Sequence, residues 1–289
     1  MRVGTRGMES AIGGLLAAAL IAGGPGATAC TAQHQPNYEV YAVRYATLLS
    51  FPTRALVAGA DSSRRSEVAM TVWLLRGPDQ RTVLVDAGFY RDEFVQKWQP
   101  ADYRRPSDVL DSLGVPPASV TDIIITHVHW DHLDGADLFP NARVWIQRAE
   151  YEYHVGAKGE VLHDAIAPAD AAMLARLRTA GRVRLVEGDA QEIIPGIRVF
   201  TGGRHTYASQ YAGVNTRVGT VVIASDNLYL YENLDRHVPI AATLDASANL
   251  AAQDRMVSLA ARKGLVVPGH DPAVFERFHG PRKGVARID

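Results

Sequence analysis

The chain has 289 residues, of which 47% are hydrophobic, and its 30 Lys and Arg nearly balance its 31 Asp and Glu. This length and composition are typical of a globular protein with one sizeable apolar core. Because the charges cancel and form no block of one sign, the composition excludes nucleic acid as an expected partner.

The first thirty residues differ from the rest of the chain. Arg2 and Arg6 precede an apolar stretch over residues 11–24, and small residues end the segment. This order is typical of a secretory signal, and the apolar stretch is shorter than the roughly 20 residues that a membrane-spanning helix needs. We therefore predict a signal peptide over residues 1–30 and a single mature domain over residues 31–289. The mature protein is expected to be exported, periplasmic or secreted, without stable membrane insertion.

Cys30 is the only cysteine of the chain, so the mature protein cannot form an internal disulfide. Two interpretations of its place after Ala-Thr-Ala stay open. Cys30 is either the lipidated cysteine of a lipoprotein, or it follows a cleavage site of small residues. Ala27 stands where a lipoprotein signal usually has Leu.

The mature chain is predicted to begin with antiparallel β structure. Residues 38–45 alternate in the manner of a strand, and residues 68–75 with 82–85 predict a hairpin around the turn Gly77-Pro78-Asp79-Gln80. The polar stretch over residues 52–67 predicts a long loop. It is either a binding loop or a solvated connector.

The remainder of the chain mixes strands and helices, and no repeat or linker divides it. Ser107, as a predicted N-cap, begins a short helix that ends near Leu113. An apolar strand over residues 122–126 then runs directly into a cluster of histidines. The other predicted strands cover residues 144–147, 183–186, 197–201, 220–224 and 265–267, and the other predicted helices cover residues 168–180 and 246–262.

The end of the 122–126 strand carries four side chains of the kind that bind metals. They are His127, His129, Asp131 and His132, in the segment Ile125-Thr126-His127-Val128-His129-Trp130-Asp131-His132. Neutral imidazoles and carboxylates suit zinc and related divalent ions. In an extended chain residues 127 and 129 point to one side, and residues 131 and 132 can face a second position in the turn that follows. The sequence therefore predicts a centre for divalent metal ions at this strand end.

His-X-His-X-Asp-His is the signature of the metallo-β-lactamase superfamily, and three later segments resemble that family's other ligand segments. They are Thr201-Gly202-Gly203-Arg204-His205-Thr206, Ala224-Ser225-Asp226 and Val267-Pro268-Gly269-His270-Asp271. The resemblance implies an α/β fold of the αββα type, in which two mixed sheets pack face to face with helices outside.

The same resemblance implies two divalent metal ions per chain, with zinc as the first expectation. His127, His129 and His205 are expected to bind one ion, Asp131, His132 and His270 the other, and Asp226 both. The segment Val85-Asp86-Ala87-Gly88 resembles the family's first short motif. It implies that Asp86 partners the outer ring nitrogen of a metal-bound imidazole. A plain turn aspartate is the alternative.

Two further segments resemble the N-acyl-homoserine lactonases within this superfamily. Residues 226–233 resemble their bridging Asp, which is followed by a substrate-facing Tyr, here Tyr229, and by Glu-Asn. Residues 144–152 resemble their strand and Gln-Arg-X-Glu-Tyr-Glu continuation. The resemblance covers about residues 68–275. Arg204, which looks like an insertion, and Ser209, where many relatives have His, depart from the pattern, so the pocket wall and the acyl-chain preference stay open.

Two other branches of the superfamily fit the sequence less well. Zinc β-lactamases of the commonest type have a Cys ligand, whereas Asp226 occupies the matching strand end here. Glyoxalase-like thioesterases carry a C-terminal helical region, but only 19 residues follow His270. The sequence therefore resembles the lactonases more than it resembles either of these branches.

The lactonase resemblance implies hydrolysis of a lactone ring by a metal-bridging hydroxide, an activity that quenches quorum sensing. Tyr229 is expected to donate a hydrogen bond to the substrate carbonyl, and Asp131 to carry a proton towards the leaving alkoxide. A metal-dependent esterase or phosphotriesterase of the same superfamily is one alternative. A periplasmic metal-binding protein without turnover is another. The expected partner is a small lactone or ester, and a homodimer stays open.

Overall fold

The computed structural model describes residues 35–289. The predicted signal peptide and Cys30 lie outside the described residues. The strands are β1 (Glu39–Pro52), β2 (Arg65–Arg76), β3 (Thr82–Val85), β4 (Asp122–Ile124), β5 (Arg143–Gln147), β6 (Val183–Val186), β7 (Gln191–Ile194), β8 (Ile197–Thr201), β9 (Gln210–Thr216), β10 (Gly219–Ser225), β11 (Val266–Pro268) and β12 (Val285–Arg287). The helices are α1 (Asp92–Trp98), α2 (Pro106–Asp111), α3 (Trp130–Leu133), α4 (Arg148–His154), α5 (Pro168–Thr179), α6 (Tyr231–Arg236), α7 (Ala246–Leu259) and α8 (Val274–Arg277).

The strands form two mixed sheets. The first has the order β12-β1-β2-β3-β4-β5-β6, antiparallel from β12 to β3 and parallel from β3 to β6. The second has the order β11-β10-β9-β8-β7 and is antiparallel except for the β10–β11 pair. Parallel neighbours end at the same edge of a sheet. The residues that follow β3 and β4 therefore lie side by side, as do those that follow β10 and β11.

Apolar side chains cover both faces of the first sheet. In β2, Trp73 and Leu75 belong to the core between the two sheets, whereas Val72 and Leu74 belong to the core on the outer face. This division follows from the strand geometry, because successive side chains point to opposite faces. Residues of α1, α2 and α5 pack in the outer core, and α7 packs on the outer face of the second sheet. The layer order helix, sheet, sheet, helix confirms the predicted αββα sandwich.

The helices of residues 35–289 are all too short or too polar to cross a membrane. The β2–β3 hairpin and the helix over residues 168–180 are confirmed, the latter as α5. The long loop over residues 52–67 was predicted too long, because Arg65 and Ser66 pair with Pro52 and Phe51 and extend both strands. Residues 53–64 remain as the connecting segment.

Two predicted helix ends were wrong. Ser107 is not the N-cap of α2, because the helix begins at Pro106, whose fixed φ and missing N–H suit the first helical position. Helix α7 ends at Leu259 instead of residue 262, since Ala260 has extended backbone. Strands β7, β9 and β12 and helices α1, α3, α4, α6 and α8 were not predicted from the sequence.

Candidate metal centre

The seven side chains predicted as ligands meet at one end of the two sheets. His127, His129, Asp131 and His132 follow β4, His205 follows β8, Asp226 follows β10, and His270 follows β11. Their donor atoms form two groups, each with all donor atoms within 4.8 Å of one another. The first group is His127, His129, His205 and Asp226, and the second is Asp131, His132 and His270.

The first group surrounds one carboxylate oxygen of Asp226. Oδ2 of Asp226 lies 3.3 Å from His205 Nε2 and 3.6 Å from His127 Nε2. Nδ1 of His129 lies 2.9 Å from His205 Nε2 and 3.1 Å from His127 Nε2. A tetrahedral zinc ion with Zn–N bonds of about 2.0–2.1 Å holds its donor atoms about 3.3–3.4 Å apart. The spacing of this group fits one such ion.

The second group surrounds the other oxygen of Asp226. Oδ1 of Asp226 lies 2.9 Å from His270 Nε2 and 3.2 Å from His132 Nε2. Oδ2 of Asp131 lies 3.5 Å from His132 Nε2 and 3.7 Å from His270 Nε2. Because its two oxygens face different groups, the carboxylate of Asp226 stands between the two positions.

Contacts on the outer side of the imidazoles fix which ring nitrogen faces the centre. Three outer nitrogens face an oxygen acceptor: His132 Nδ1 and Asp86 Oδ2 at 2.7 Å, His205 Nδ1 and the Ala242 carbonyl at 2.8 Å, and His270 Nδ1 and the Ala69 carbonyl at 3.0 Å. An oxygen acceptor requires an N–H on that side of the ring. In the neutral form of each ring, Nε2 therefore directs a lone pair towards the centre.

Two of the atoms that face the second position, one nitrogen and one oxygen, stand out. Within residues 35–289, His132 Nε2 and Asp226 Oδ1 are buried and have no hydrogen-bond partner. Buried acceptors that face one another are costly unless a positive charge lies between them. The residues present therefore fit divalent cations, and the donor chemistry suits zinc.

The protonation of the imidazoles differs between the two groups. Burial lowers the pKa of His127 well below its usual value and that of His129 to about 3, so both rings are neutral at neutral pH. Burial also opposes the charged forms of His132 and His270, but the neighbouring carboxylates, chiefly Asp226 with Asp131, together outweigh it and raise the pKa of both rings. Metal ions and protons therefore compete for the second group.

Asp86 lies beneath the centre and joins the strand ends of both sheets. Its carboxylate accepts hydrogen bonds from Thr126 N and Oγ1 at 2.9 Å and from Ser225 Oγ at 3.0 Å, and it faces His132. Thr126 and Ser225 each directly precede a predicted ligand. The predicted contact between Asp86 and a ring nitrogen is confirmed.

Two buried residues, Glu150 and Asn227, contact the ligand loops and were given no role by the sequence analysis. Asn227 Oδ1 accepts hydrogen bonds from Gly203 N at 2.8 Å and from Ser209 Oγ at 3.1 Å. Ser209, where many relatives have His, is thus buried against Asn227. Both residues lie in the lactonase-like segments, and this position was the signal that could have identified them.

An apolar cavity of about 230 Å³ opens over the donor groups. Its walls include Leu48, Phe51, Leu56, Met70, Trp98 and Trp130, and its floor includes His129, Asp131, Asp226, Tyr229 and His270. Leu56 belongs to the connecting segment that follows β1, which supports the binding-loop interpretation. Among the described residues no Lys or Arg lines this cavity. The cavity therefore suits a neutral ligand with an apolar part.

Tyr229 is the one lining residue of this cavity, among those described, that carries a phenol hydroxyl. The hydroxyl lies 3.4 Å from His205 Nδ1. That nitrogen already donates to the carbonyl of Ala242 at 2.8 Å, so the Tyr229 oxygen can only accept from it, and its own hydrogen stays available. Burial and the carboxylates of Asp226 and Asp131 raise the pKa of Tyr229 well above 10. At neutral pH Tyr229 is therefore a hydrogen-bond donor.

Comparison with known proteins points to one family. The model of the metallo-beta-lactamase superfamily matches residues 67–270 of this chain. The chain is similar to an N-acyl homoserine lactonase of Bacillus cereus, at 28% identity over 190 residues, 65% of this chain and 70% of that protein.

Solved structures share the fold. The chain superposes on a quorum-quenching N-acyl homoserine lactone lactonase with a TM-score of 0.70 and 21% identity, covering 85% of this chain and 97% of that one. An N-acyl homoserine lactone hydrolase with the product N-hexanoyl-L-homoserine at its catalytic metal centre gives a TM-score of 0.68 and 21% identity, covering 85% of this chain and 98% of that one.

Proposed function

The chain belongs to the metallo-β-lactamase superfamily, and we propose that within this family it opens the ring of N-acyl-homoserine lactones or similar lactones. Such an activity would quench quorum sensing. The observation that carries the proposal is Tyr229, a phenol-bearing residue that lines an apolar cavity together with members of both groups of metal-type donors. A protein that only bound metal would not need a donor that faces a substrate. Relatives that bear the name N-acyl homoserine lactonase support the substrate class.

The donor groups suit two divalent ions, with zinc as the first expectation. His127, His129 and His205 would hold one ion, Asp131, His132 and His270 the other, and Asp226 both. Two such ions, when bound, lower the pKa of a water molecule towards about 7 and polarise a substrate carbonyl.

Tyr229 would stabilise the charge that develops on the carbonyl oxygen of the lactone. Its hydroxyl hydrogen is available, and the raised pKa keeps the phenol protonated at neutral pH. A fixed donor in a buried site stabilises a developing oxyanion more than it stabilises a neutral carbonyl, and this difference accelerates the reaction.

Asp131 would take the proton that the attacking hydroxide brings and carry it to the alkoxide that leaves when the ring opens. Its Oδ2 faces the imidazoles of His132 and His270, which leaves the other carboxylate oxygen for the proton. The apolar walls formed by Leu56, Met70 and other side chains would exclude water from the reacting atoms and contact the acyl chain.

A metal-dependent esterase or phosphotriesterase is the alternative that the cavity also admits. The lining contains no cation among the described residues, and this favours neutral esters of several kinds over substrates that need a charged partner. The same donor groups could serve any of these reactions.

Side-by-side turnover separates the two proposals. Purified protein with measured metal content is assayed with N-hexanoyl-homoserine lactone, 4-nitrophenyl butyrate and diethyl 4-nitrophenyl phosphate. The lactonase proposal expects the highest kcat/KM with the lactone. A higher value with either 4-nitrophenyl substrate would replace it by the alternative.

A further inference from the structure

Glu150 is a fully buried carboxylate in the first turn of α4. Its Oε1 accepts hydrogen bonds from Thr206 Oγ1 at 2.6 Å and from Val128 N at 3.2 Å, and its Oε2 accepts one from Ala208 N at 2.7 Å. The imidazole of His154 lies 3.9 Å away. A buried carboxylate is costly to desolvate, so these three hydrogen bonds are what make the ionised group tolerable at this position.

The partners of Glu150 belong to the two segments that supply the imidazoles of the first donor group. Val128 stands between His127 and His129, and Thr206 directly follows His205. The first segment follows β4 of the first sheet, and the second follows β8 of the second sheet. One side chain therefore connects two ligand segments that no strand pairing joins directly.

The second donor group has a different support. The hydrogen bonds of Glu150 reach neither Asp131, nor His132, nor His270. The outer nitrogens of His132 and His270 are held instead by Asp86 and by the carbonyl of Ala69. Losing Glu150 should therefore affect the two groups unequally.

We propose that Glu150 is a positioning residue for the metal ion at His127, His129 and His205, and that it has no such role for the ion at the second group. The inference rests on the proposed binding of two ions. Three N–H or O–H donors point at the Glu150 carboxylate, so a carboxamide of the same size must turn its own N–H₂ group towards one of them. Glu150→Gln then opens the contact between the two segments and misplaces the three imidazoles.

The test measures zinc affinity by competition with a fluorescent chelator, and it does not depend on activity. Partners that orient metal ligands typically contribute about 10–100-fold to metal affinity. Glu150→Gln should lower the affinity for one of the two ions by that factor. The affected position is identified in two backgrounds, His270→Ala, which disables the second group, and His129→Ala, which disables the first. Glu150→Gln should lower the affinity for the remaining ion in the His270→Ala background. It should leave that affinity unchanged in the His129→Ala background.

Asp122→Asn provides the matched control. Asp122 is also a fully buried carboxylate, but it lies at the start of β4 and contacts Arg143 and Trp145, away from the ligand segments. This variant should bind both ions as the wild type does. If Asp122→Asn lowered the affinity for the same ion as Glu150→Gln does, loss of any buried carboxylate charge would explain the effect. The inference would then be wrong.

A second pair of variants covers the case in which Glu150→Gln does not fold. Thr206→Val removes the hydroxyl that donates to Glu150, and Thr206→Ser retains it. Thr206→Val should lower the affinity for the ion at the first donor group. Thr206→Ser should bind that ion as tightly as the wild type does. Equal weakening of both ions, or wild-type affinity in Thr206→Val, would overturn the inference. A wild-type protein that binds fewer than two ions would instead contradict the proposed function itself.

Discussion

Replacement of Tyr229 by Phe tests the proposed contact between the phenol hydroxyl and the substrate. The ring is 7% exposed and packs near the imidazoles of His205 and His270, so Phe can occupy the same space. The hydroxyl is not one of the seven metal-type donors, and its recorded contact, at 3.4 Å from His205 Nδ1, is long. The variant should therefore fold and bind metal as the wild type does.

The expected loss is in turnover. Removal of one donor to a developing oxyanion costs about 1.4–4 kcal/mol of transition-state stabilisation, which corresponds to roughly a 10- to 1,000-fold decrease in kcat. The assay is hydrolysis of N-hexanoyl-homoserine lactone by protein with measured metal content. A rise in KM with unchanged kcat would mean that the hydroxyl binds the ground state and the transition state equally.

Tyr231→Phe is the matched control for this substitution. Tyr231 lies two residues further along the chain, and its buried hydroxyl has no hydrogen-bond partner among residues 35–289. Its ring lies under the guanidinium of Arg277 and is absent from the cavity lining. Turnover should be unchanged in this variant. Equal effects of the two substitutions, or an unaffected Tyr229→Phe enzyme, would refute the role given to Tyr229.

Three other predictions address the bridging carboxylate, the packing beneath the centre and the start of the mature chain. Asp226→Ala should lower the content of both metal ions, because its two oxygens face different donor groups; elemental analysis that still finds two ions would contradict this. Gly135→Ala should destabilise the protein by about 1–3 kcal/mol in denaturant titration, because a Cβ there would lie 2.3 Å from the carbonyl oxygen of Ala87. Gly264→Ala, where an added Cβ meets nothing within 4 Å, is its control and should unfold at nearly the wild-type denaturant concentration. We propose that the protein is exported, and mass determination of protein from its native host should find residues up to about 29 removed; an intact Met1 would refute this, and a diacylated Cys30 would establish the lipoprotein form.

The sequence predicted those strands and helices whose pattern of apolar residues lies within one short segment. Strand β2 and the strand that leads into His127 can be recognised in the sequence as continuous apolar runs, because both are buried between packed layers. Strand β9 was not predicted because it contains Gly213, where an added Cβ would lie 3.0 Å from the Phe200 ring. Such a glycine is required by packing against β8, which the sequence does not display.

The candidate site also has a part that sequence motifs predict and a part that only the folded structure shows. The seven donors could be named from four short segments, because the His-X-His-X-Asp-His signature indicated the family and the other three segments follow it in the order of the family's ligand segments. The contacts of Glu150 with Val128 and Thr206 join residues that are far apart in the chain. They meet only in the folded chain, where Glu150 of α4 accepts hydrogen bonds from both ligand segments. The cavity walls arise likewise from separate segments, such as Leu56 and Trp98.

The most direct test of the account is lactone hydrolysis measured together with metal content on the same preparation. The account predicts about two divalent ions per chain and hydrolysis of N-acyl-homoserine lactones that disappears when the ions are removed and returns when zinc is restored. Protein that contains both ions and leaves these lactones intact would contradict the proposed function.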